Sequence, residues 1–348
     1  MSGLHMAELR LRKGVMMAEQ LKDSFGRTIS YMRISLTKEC NLRCSYCRPR
    51  RTLPGADAWQ RENVLTIPEL VRVVQTAAAM GISRYRLTGG EPLLRRGCAE
   101  LVHEMKQVPG VETVCLTTNG TLLAPLAGTF ARAGLDGVTV SLDTIDPRQY
   151  TELTGGGHLN RVLDGIREAE RAGLWVKINA VNRGEGDLLP LVSWCEEQGL
   201  LLRVIELMPI GIGKTYPAGP HRSNDELLAQ LTGIYGNSEQ LSQVPGQGSG
   251  PAVYYGFAKK KEPVGFISAV SHEFCGSCSR VRLTSEGFLK PCLCYDTGTD
   301  LRRILRLPDP GETLEAAIRE TVWKKPRAHC FSRPQEITER RDMSGIGG

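Results

Sequence analysis

The stretch Cys40–Cys47, CNLRCSYC, holds three cysteines at spacings of four and three residues. A structural zinc site takes four ligands, so this triplet is one ligand short. Three thiolates can instead bind three irons of a cubane cluster, which leaves the fourth iron open to a small molecule. Zinc with a fourth ligand from elsewhere is the alternative, because a C-x2-C pair alone is typical of zinc sites. The extra cysteine, in a loop directly after a predicted strand, favours the cluster.

Strands and helices alternate around this stretch. Apolar, β-branched runs that end in small polar residues are followed by helical segments between residues 29 and 210. The first predicted helix opens with the capping box Thr66-x-x-Glu69. Helices are predicted at about 66–80, 97–107, 121–133, 160–172 and 187–198. About six such units are visible, short of the eight that close a TIM barrel. The predicted fold class is α/β, with a partial (β/α)6 TIM-like barrel.

Polar residues gather where the predicted strands run into their loops. In parallel α/β folds these strand ends converge on one face and build the active site. The alternative is ordinary turn and cap chemistry, which explains any one position but not five in succession. The positions are 88–91, 117–119, 141–143, Asn179 and 206–208.

The alternation stops after about residue 210, where Gly- and Pro-rich connectors begin. Shorter strands are predicted at 252–257, 264–270 and 281–289, and a helix near 312–324. We expect four regions: an N-terminal extension at 1–26, the barrel at 27–222, a smaller α+β C-terminal domain at 223–340 and a Gly-Gly tail at 341–348.

The composition is that of an ordinary globular enzyme. Of the 348 residues, 41% are hydrophobic and 24% charged, and no apolar run approaches the length of a membrane span. The N-terminus lacks the apolar core of a signal peptide, so we expect a cytoplasmic protein with no membrane contact. The net charge of +6 is scattered, so nucleic acid is not demanded, and a small polyanionic substrate explains it equally well.

A second triplet lies near the C-terminus, in Cys275-x2-Cys278-x13-Cys292. The two triplets account for six of the eleven cysteines, which points to metal or cluster ligation rather than disulfides. Cys294 follows closely, so four cysteines could also bind zinc or close the open iron of a cluster.

The chain resembles radical S-adenosylmethionine (SAM) enzymes in CNLRCSYC and in TGGEP at 88–92. The second triplet, its continuation SRVRLTSEG and the terminal IGG resemble the GTP 3′,8-cyclases of molybdenum-cofactor biosynthesis, from about Gly26 to Gly348. Within that resemblance, Cys294 stands where the family usually has an aromatic residue.

The resemblance implies two [4Fe-4S] clusters and SAM as cofactors. It implies conversion of GTP to (8S)-3′,8-cyclo-7,8-dihydro-GTP, through removal of the ribose 3′ hydrogen by a 5′-deoxyadenosyl radical. The open iron of the second, auxiliary cluster is expected to contact guanine. The implied partners are GTP, an electron donor, a downstream cyclic pyranopterin monophosphate synthase and a second copy of the chain in a homodimer.

The resemblance also implies roles for individual residues. The expected cluster ligands are Cys40, Cys44, Cys47, Cys275, Cys278 and Cys292. The expected SAM contacts are Tyr46, Gly90, Ser141 and Met208. The expected GTP contacts are Arg33, Arg86, Thr117, Lys177, Arg280, Val281 and Arg282, with Arg84 and Arg203 as weaker candidates. Arginine suits this role because it meets phosphate oxygens with paired hydrogen bonds, although most exposed arginines are merely solvated.

Two other functions remain open at this point. One is a radical SAM enzyme of another kind with an auxiliary cluster, such as a peptide-modifying maturase. The other is a binding module stabilised by zinc or a cluster, which explains C-x2-C pairs but not the first triplet together with GGEP. The tail offers a further expectation: Gly347 and Gly348 lack side chains and can enter a narrow active site.

Overall fold

The computed structural model describes residues 20–47, 64–184, 188–216, 223–245 and 250–347. Residues 1–19 of the N-terminal extension predicted at 1–26, and the terminal Gly348, therefore lie outside the described residues. Within the described ranges, twelve strands form one sheet in the order β12-β11-β10-β1-β2-β3-β4-β5-β6-β9-β8-β7.

Six parallel strands form the centre of the sheet and confirm the predicted partial barrel. Each is hydrogen-bonded to the next in chain order. The strands are β1 Tyr31–Ser35, β2 Arg84–Thr88, β3 Thr113–Thr118, β4 Gly137–Ser141, β5 Trp175–Asn182 and β6 Leu201–Glu206. The helices that follow them are α1 Ile67–Ala79, α2 Cys98–Gln107, α3 Ala127–Arg132, α4 Pro147–Thr154, α5 Leu159–Arg171 and α6 Leu189–Gln198.

The first helix shows why these segments fold locally. The Thr66 side chain accepts a hydrogen bond from the Glu69 backbone, and the Glu69 side chain accepts one from the Thr66 backbone, as the capping box predicts. Leu70, Val73 and Val74 are fully buried, so one face of α1 packs on the sheet.

The remaining strands extend the sheet at both edges. Strand β9 pairs in parallel with β6, and β10 pairs in parallel with β1, so strands on both sides of residue 222 share one sheet. The boundaries predicted for the separate domains remain a prediction. The later strands are β7 Ser238–Leu241, β8 Val253–Phe257, β9 Lys260–Ile267, β10 Arg280–Leu283, β11 Phe288–Lys290 and β12 Thr299–Asp300. The later helices are α7 Asn224–Tyr235, α8 Leu301–Leu305, α9 Gly311–Trp323 and α10 Met343–Ile346.

Two apolar clusters organise the molecule. The large one fills the space between the central sheet and its helices. The small one joins the loop after β6, the segments around the second cysteine triplet and Ile346 of α10, so the end of the chain is packed into the fold. Among the described residues, no helix is both long and apolar enough to cross a membrane.

Candidate active site

The first cysteine triplet lies in the loop after β1, at the carboxyl edge of the parallel sheet. Cys40, Cys44 and Cys47 are all half-buried. The backbone of the next strand end is docked on this loop, since Gly90 N donates to Thr37 O at 2.8 Å. A Cβ on Gly90 would lie 2.3 Å from Glu39 O, so only glycine permits this approach.

Glu91 ties the ends of β2 and β3 to the same loop. Its carboxylate is fully buried and accepts hydrogen bonds from Thr118 Oγ1 at 2.7 Å and Asn119 N at 2.7 Å. Burial raises the pKa of Glu91 to about 7, although these hydrogen bonds oppose the rise. Asn119 Nδ2 lies 3.8 Å from Cys40 Sγ. The predicted convergence of strand ends is therefore present here.

The thiols of the first triplet fit a cationic cluster. Burial, followed by the negative charges of Asp143, Cys47 and Cys40, raises the pKa of Cys44 well above its usual range. Thiolates crowded in this way require positive charge between them, which irons supply. Among the described residues, no three His, Cys, Asp or Glu side chains converge on one metal-ion position. A cubane does not require that convergence, because each thiolate binds a different iron.

Tyr46 and Asp143 connect this loop to the opposite side of the barrel. Tyr46 Oη donates to Asp143 Oδ2 at 2.7 Å, and Val181 N donates to Asp143 Oδ1 at 2.8 Å. Ser141 ends β4 just before Asp143, so it lies at the same edge. The ends of β1, β4 and β5 thus meet beside the first triplet.

A layer of cations lines the sheet below this edge. Arg33 on β1 is in register with Arg282 on β10 and with Arg86 on β2, so their side chains share one face. Lys177 on β5 is in register with Thr139 on β4. Thr139 Oγ1 accepts from Arg86 Nη1 at 2.9 Å and from Arg203 Nη2 at 3.1 Å, which brings the cations of distant strands together.

This layer is rich in positive charge. Arg86, Lys177 and Arg203 are buried, and the acceptors of Arg86 are hydroxyl and carbonyl oxygens, including Tyr31 Oη at 2.7 Å. Burial, then the charges of Arg203 and Arg86, lowers the pKa of Lys177 to about 8. Burial, then Arg280, lowers the pKa of Arg282 to about 10. A bound polyanion would compensate the positive charge that is buried in this layer.

Two predicted residues lie elsewhere. Arg84 starts β2 with a 43% exposed side chain and pairs with Glu112 at 3.5 Å, so it lies outside the cationic layer. Met208, after β6, lines the pocket of the second triplet. Val281 is fully buried on β10, where it is in register with Met32 of β1.

The second triplet lines a pocket next to the cationic layer. Burial raises the pKa of Cys275. Burial also raises the pKa of Cys278, but the charges of Arg280 and Lys325 outweigh it and bring that pKa down to about 6. A thiol with this pKa is a thiolate at neutral pH and is ready to bind a metal. The pocket is lined by Cys275, Cys278 and Cys292, by the cations Arg280, Arg282 and Lys325, and by the rings Phe274, His329 and Phe331.

Arg282 belongs to both regions, because it lines this pocket and also neighbours Arg33 in the sheet. Its Nη1 donates to Gly347 O at 2.6 Å, so the tail reaches the junction between the pocket and the cationic layer. A Cβ on Gly347 would lie 2.8 Å from Thr88 Cγ2, and its φ of +75° also favours glycine.

Cys294 has a different neighbour. It is fully buried, and its Sγ lies 3.0 Å from Cys330 Sγ in the small apolar cluster.

Three residues of the site escaped the sequence analysis: Thr139, Lys325 and His329. A threonine inside a strand and a lone lysine or histidine in a loop carry no motif, so only the folded chain brings them together.

Two family models match the chain. The radical SAM superfamily matches residues 34–184, and Molybdenum Cofactor Synthesis C matches residues 200–331. Together they contain both cysteine triplets.

Curated relatives share most of their length with this chain. A GTP 3′,8-cyclase of Clostridium perfringens strain 13 is 37% identical over 331 residues, which cover 94% of this chain and 100% of the relative. A GTP 3′,8-cyclase of Mycobacterium marinum is 40% identical over 341 residues, which cover 94% of this chain and 92% of the relative.

Solved structures share the fold. Streptococcus suis SuiB bound to S-adenosylmethionine has a TM-score of 0.55 at 15% identity, with 98% of this chain and 78% of that chain covered. Native anSMEcpe with bound AdoMet has a TM-score of 0.55 at 15% identity, with 89% and 93% covered. At this identity the likeness concerns the fold alone. The identities to the curated relatives establish that the chain belongs to the GTP 3′,8-cyclase family of radical SAM enzymes.

Proposed function

We propose that the chain converts GTP to (8S)-3′,8-cyclo-7,8-dihydro-GTP, an early step of molybdenum-cofactor biosynthesis. The observation that carries the proposal is the junction at Arg282, where a buried layer of cations meets the pocket of the second cysteine triplet. A nucleoside triphosphate has the matching polarity, because a polyanionic chain is joined to a flat neutral base. The curated relatives carry the same activity in their names.

The first triplet would hold a [4Fe-4S] cluster through Cys40, Cys44 and Cys47. With SAM bound there, the cluster would supply the electron for the radical chemistry that removes the ribose 3′ hydrogen. The backbone at Gly90 lies against the cysteine loop, and in the proposal it would contact the amino group of SAM. Tyr46 and Ser141, at the same edge, would orient its nucleoside, and Met208 would border the space between SAM and GTP.

The cationic layer would bind the triphosphate. Arg33, Arg86, Lys177 and Arg282 present charge on one face, with the Thr117 hydroxyl within 3.3 Å of Arg86 Nη1. Arg203 joins the group through Thr139, so this weaker candidate becomes a triphosphate contact in the proposal. Charge-assisted bonds from a fixed site of this kind hold the ribose still while its 3′ hydrogen is removed.

The second triplet would hold the auxiliary cluster beside the guanine. Cys275, Cys278 and Cys292 line one pocket, and Arg280 of strand β10 lines the same pocket. In the proposal the backbone of Val281, the next residue of β10, would contact the nucleotide. Cys294 is proposed to be a bystander, because its sulfur contacts Cys330. This leaves one iron of the cluster open for the base.

The family supports further proposals about partners. We infer that an electron donor reduces the clusters, that a cyclic pyranopterin monophosphate synthase takes the product, and that two copies of the chain form a homodimer in the cytoplasm. These proposals rest on the family relationship alone.

Serine replacements of single cysteines test the two cluster assignments. Cys44→Ser should lose about four irons of the roughly eight that two [4Fe-4S] clusters contain, and it should form no 5′-deoxyadenosine, since the electron source is gone. Cys278→Ser should lose the other four irons and all cyclised product while still cleaving SAM. Cys98→Ser is the matched control, because Cys98 is buried in α2 and belongs to neither triplet. SAM cleavage by Cys44→Ser at the rate of the unmodified protein would overturn the assignment.

A further inference from the structure

The pocket of the second triplet contains a histidine to which the cyclase mechanism above assigns no role. His329 is 7% exposed, and its ring lies between two phenylalanines. It stacks on Phe331 with centroids 4.3 Å apart and meets the edge of Phe274 at 6.1 Å. The ring therefore has a fixed orientation in a pocket wall.

The hydrogen bonds of His329 define which nitrogen carries the proton. Phe331 N donates to His329 Nδ1 at 3.4 Å, so Nδ1 is an acceptor. In a neutral imidazole the other nitrogen then carries the hydrogen, which makes Nε2 a donor. Nε2 is buried and has no hydrogen-bond partner among the described residues. A buried donor of this kind costs free energy unless something in the pocket accepts its proton.

The surroundings favour sulfur as that acceptor. The backbone N–H of the same residue donates to Cys275 Sγ at 3.3 Å, so His329 already contacts one sulfur of the triplet. The rings beside it offer no oxygen acceptor, and the nearby side chains of Arg280 and Lys325 are themselves donors. The carboxylate of Glu273 interacts electrostatically with the ring, but no hydrogen bond joins it to Nε2. A cubane cluster would bring thiolate and sulfide sulfurs into the same space.

We propose that His329 Nε2–H donates a hydrogen bond to a sulfur of the auxiliary cluster and raises the reduction potential of that cluster. This inference rests on the proposed assignment of Cys275, Cys278 and Cys292 as cluster ligands. The reduced cluster carries one more negative charge than the oxidised one, so a donor to its sulfurs stabilises the reduced form more. His329 is thus a positioning and tuning residue rather than a catalytic one.

Redox titration of the auxiliary cluster tests the proposal. The full-length chain with Cys40, Cys44 and Cys47 all changed to Ser contains only the second cluster, so its electron paramagnetic resonance signal is free of overlap. In that background His329→Phe, which keeps an aromatic ring but removes the N–H, should shift the midpoint potential to a more negative value. His329→Gln, which restores an N–H donor, should bring the midpoint potential part of the way back to that of the background protein. Phe274→Leu is the control, because it alters the packing on the ring without removing an N–H.

An unchanged potential in His329→Phe, with the cluster intact, would overturn the role of His329. A background protein with no second cluster would instead overturn the ligand assignment, so the two failures are distinguishable. If His329→Phe fails to assemble its cluster, the triple-serine background with His329 intact decides the matter, with 15N placed only in the imidazole rings of its histidines, because the His329 backbone N–H also contacts Cys275 Sγ. Among the described residues that line the pocket His329 is the one histidine, so a 15N coupling to the reduced auxiliary cluster is expected and its absence contradicts the proposal.

Discussion

At the scale of single residues, the buried cations of the site lower the stability of the protein without its substrate and favour the binding of an anion. Buried cations are costly: burial, and then the charges of neighbouring arginines, lower the pKa of Lys177 and of Arg203 in this layer. An anionic ligand would compensate those charges, so binding of a triphosphate would remove part of the free-energy cost of burying the cations. Stability and GTP affinity should therefore respond in opposite directions to loss of a cation.

Lys177→Met should stabilise the protein without its substrate by about 1–3 kcal/mol at pH 7. The folded-state pKa of about 8 lies below the ordinary value of 10.5, so the folded chain releases its proton first. The cost of the charge is therefore complete below pH 8 and fades as the pH rises toward 10.5.

Denaturant unfolding at several pH values under anaerobic conditions measures this effect. The stability gap between Lys177→Met and the unmodified protein should narrow above pH 8. Lys259→Met is the control, since Lys259 is exposed and its replacement should change little. A gap that is absent at pH 7, or constant with pH, would contradict the account.

Arg282→Ala should weaken GTP binding by about 1.5–3 kcal/mol, the scale of a lost charged hydrogen bond, and Arg280→Ala should do the same. SAM binding and iron content should remain. Arg84→Ala is the matched control, because Arg84 is half-exposed and pairs with Glu112 outside the layer. Calorimetric titration with GTP decides: equal affinity in both pocket variants would remove these arginines from the site.

At the scale of elements, the loops at the strand ends do most of the positioning. The hydrogen bonds from Gly90 N to Thr37 O and from Glu91 N to Glu39 O, and the buried Glu91 carboxylate that holds Thr118 and Asn119, join the loops after β1, β2 and β3 into one unit. These contacts hold the cysteine loop in its conformation.

Gly90→Ala tests that dependence. The new Cβ would lie 2.3 Å from Glu39 O and 2.7 Å from Lys38 O, so the cysteine loop must shift. A shift of this size should reduce SAM cleavage by about 100-fold, as small misplacements of reacting groups do. Gly233→Ala is the control, because its Cβ would meet nothing within 4 Å on helix α7. Formation of 5′-deoxyadenosine at the ordinary rate in Gly90→Ala would show that the loop tolerates the change.

Local sequence predicts these elements well where a motif is contiguous. The capping box at Thr66 and the triplet Cys40, Cys44 and Cys47 are short patterns of neighbouring residues. The predicted helix at 121–133 is shorter in the structure, because α3 begins at Ala127, after a series of turns that includes Pro125. Helix α4 has no counterpart in the prediction, although Asp146 caps its start.

At the scale of the whole molecule, the two halves of the sequence share one sheet. Strands β9 and β10 lie more than fifty residues beyond β6 in the chain, yet they pair with β6 and β1. Such non-local pairing leaves no signal in local periodicity, so the sequence cannot show it. The same pairing places Arg282 beside Arg33 and joins the second triplet to the cationic layer.

The tail completes this arrangement. Helix α10 packs in the small apolar cluster through Ile346, and Gly347 O accepts the hydrogen bond from Arg282. The family resemblance led us to expect a tail in the active site, and the position of Gly347 supports that expectation. The position of Gly348 lies outside the described residues.

Transfer of deuterium from GTP tests the central claim most directly. The protein is incubated anaerobically with SAM, a reductant and GTP deuterated at the ribose 3′ carbon. If the chain is the proposed cyclase, the 5′-deoxyadenosine formed contains the deuterium, and a cyclised product separates from GTP by chromatography. GTP deuterated at the ribose 4′ carbon is the control and should give unlabelled 5′-deoxyadenosine. Unlabelled 5′-deoxyadenosine from the 3′-deuterated substrate, with no cyclised nucleotide, would contradict the account.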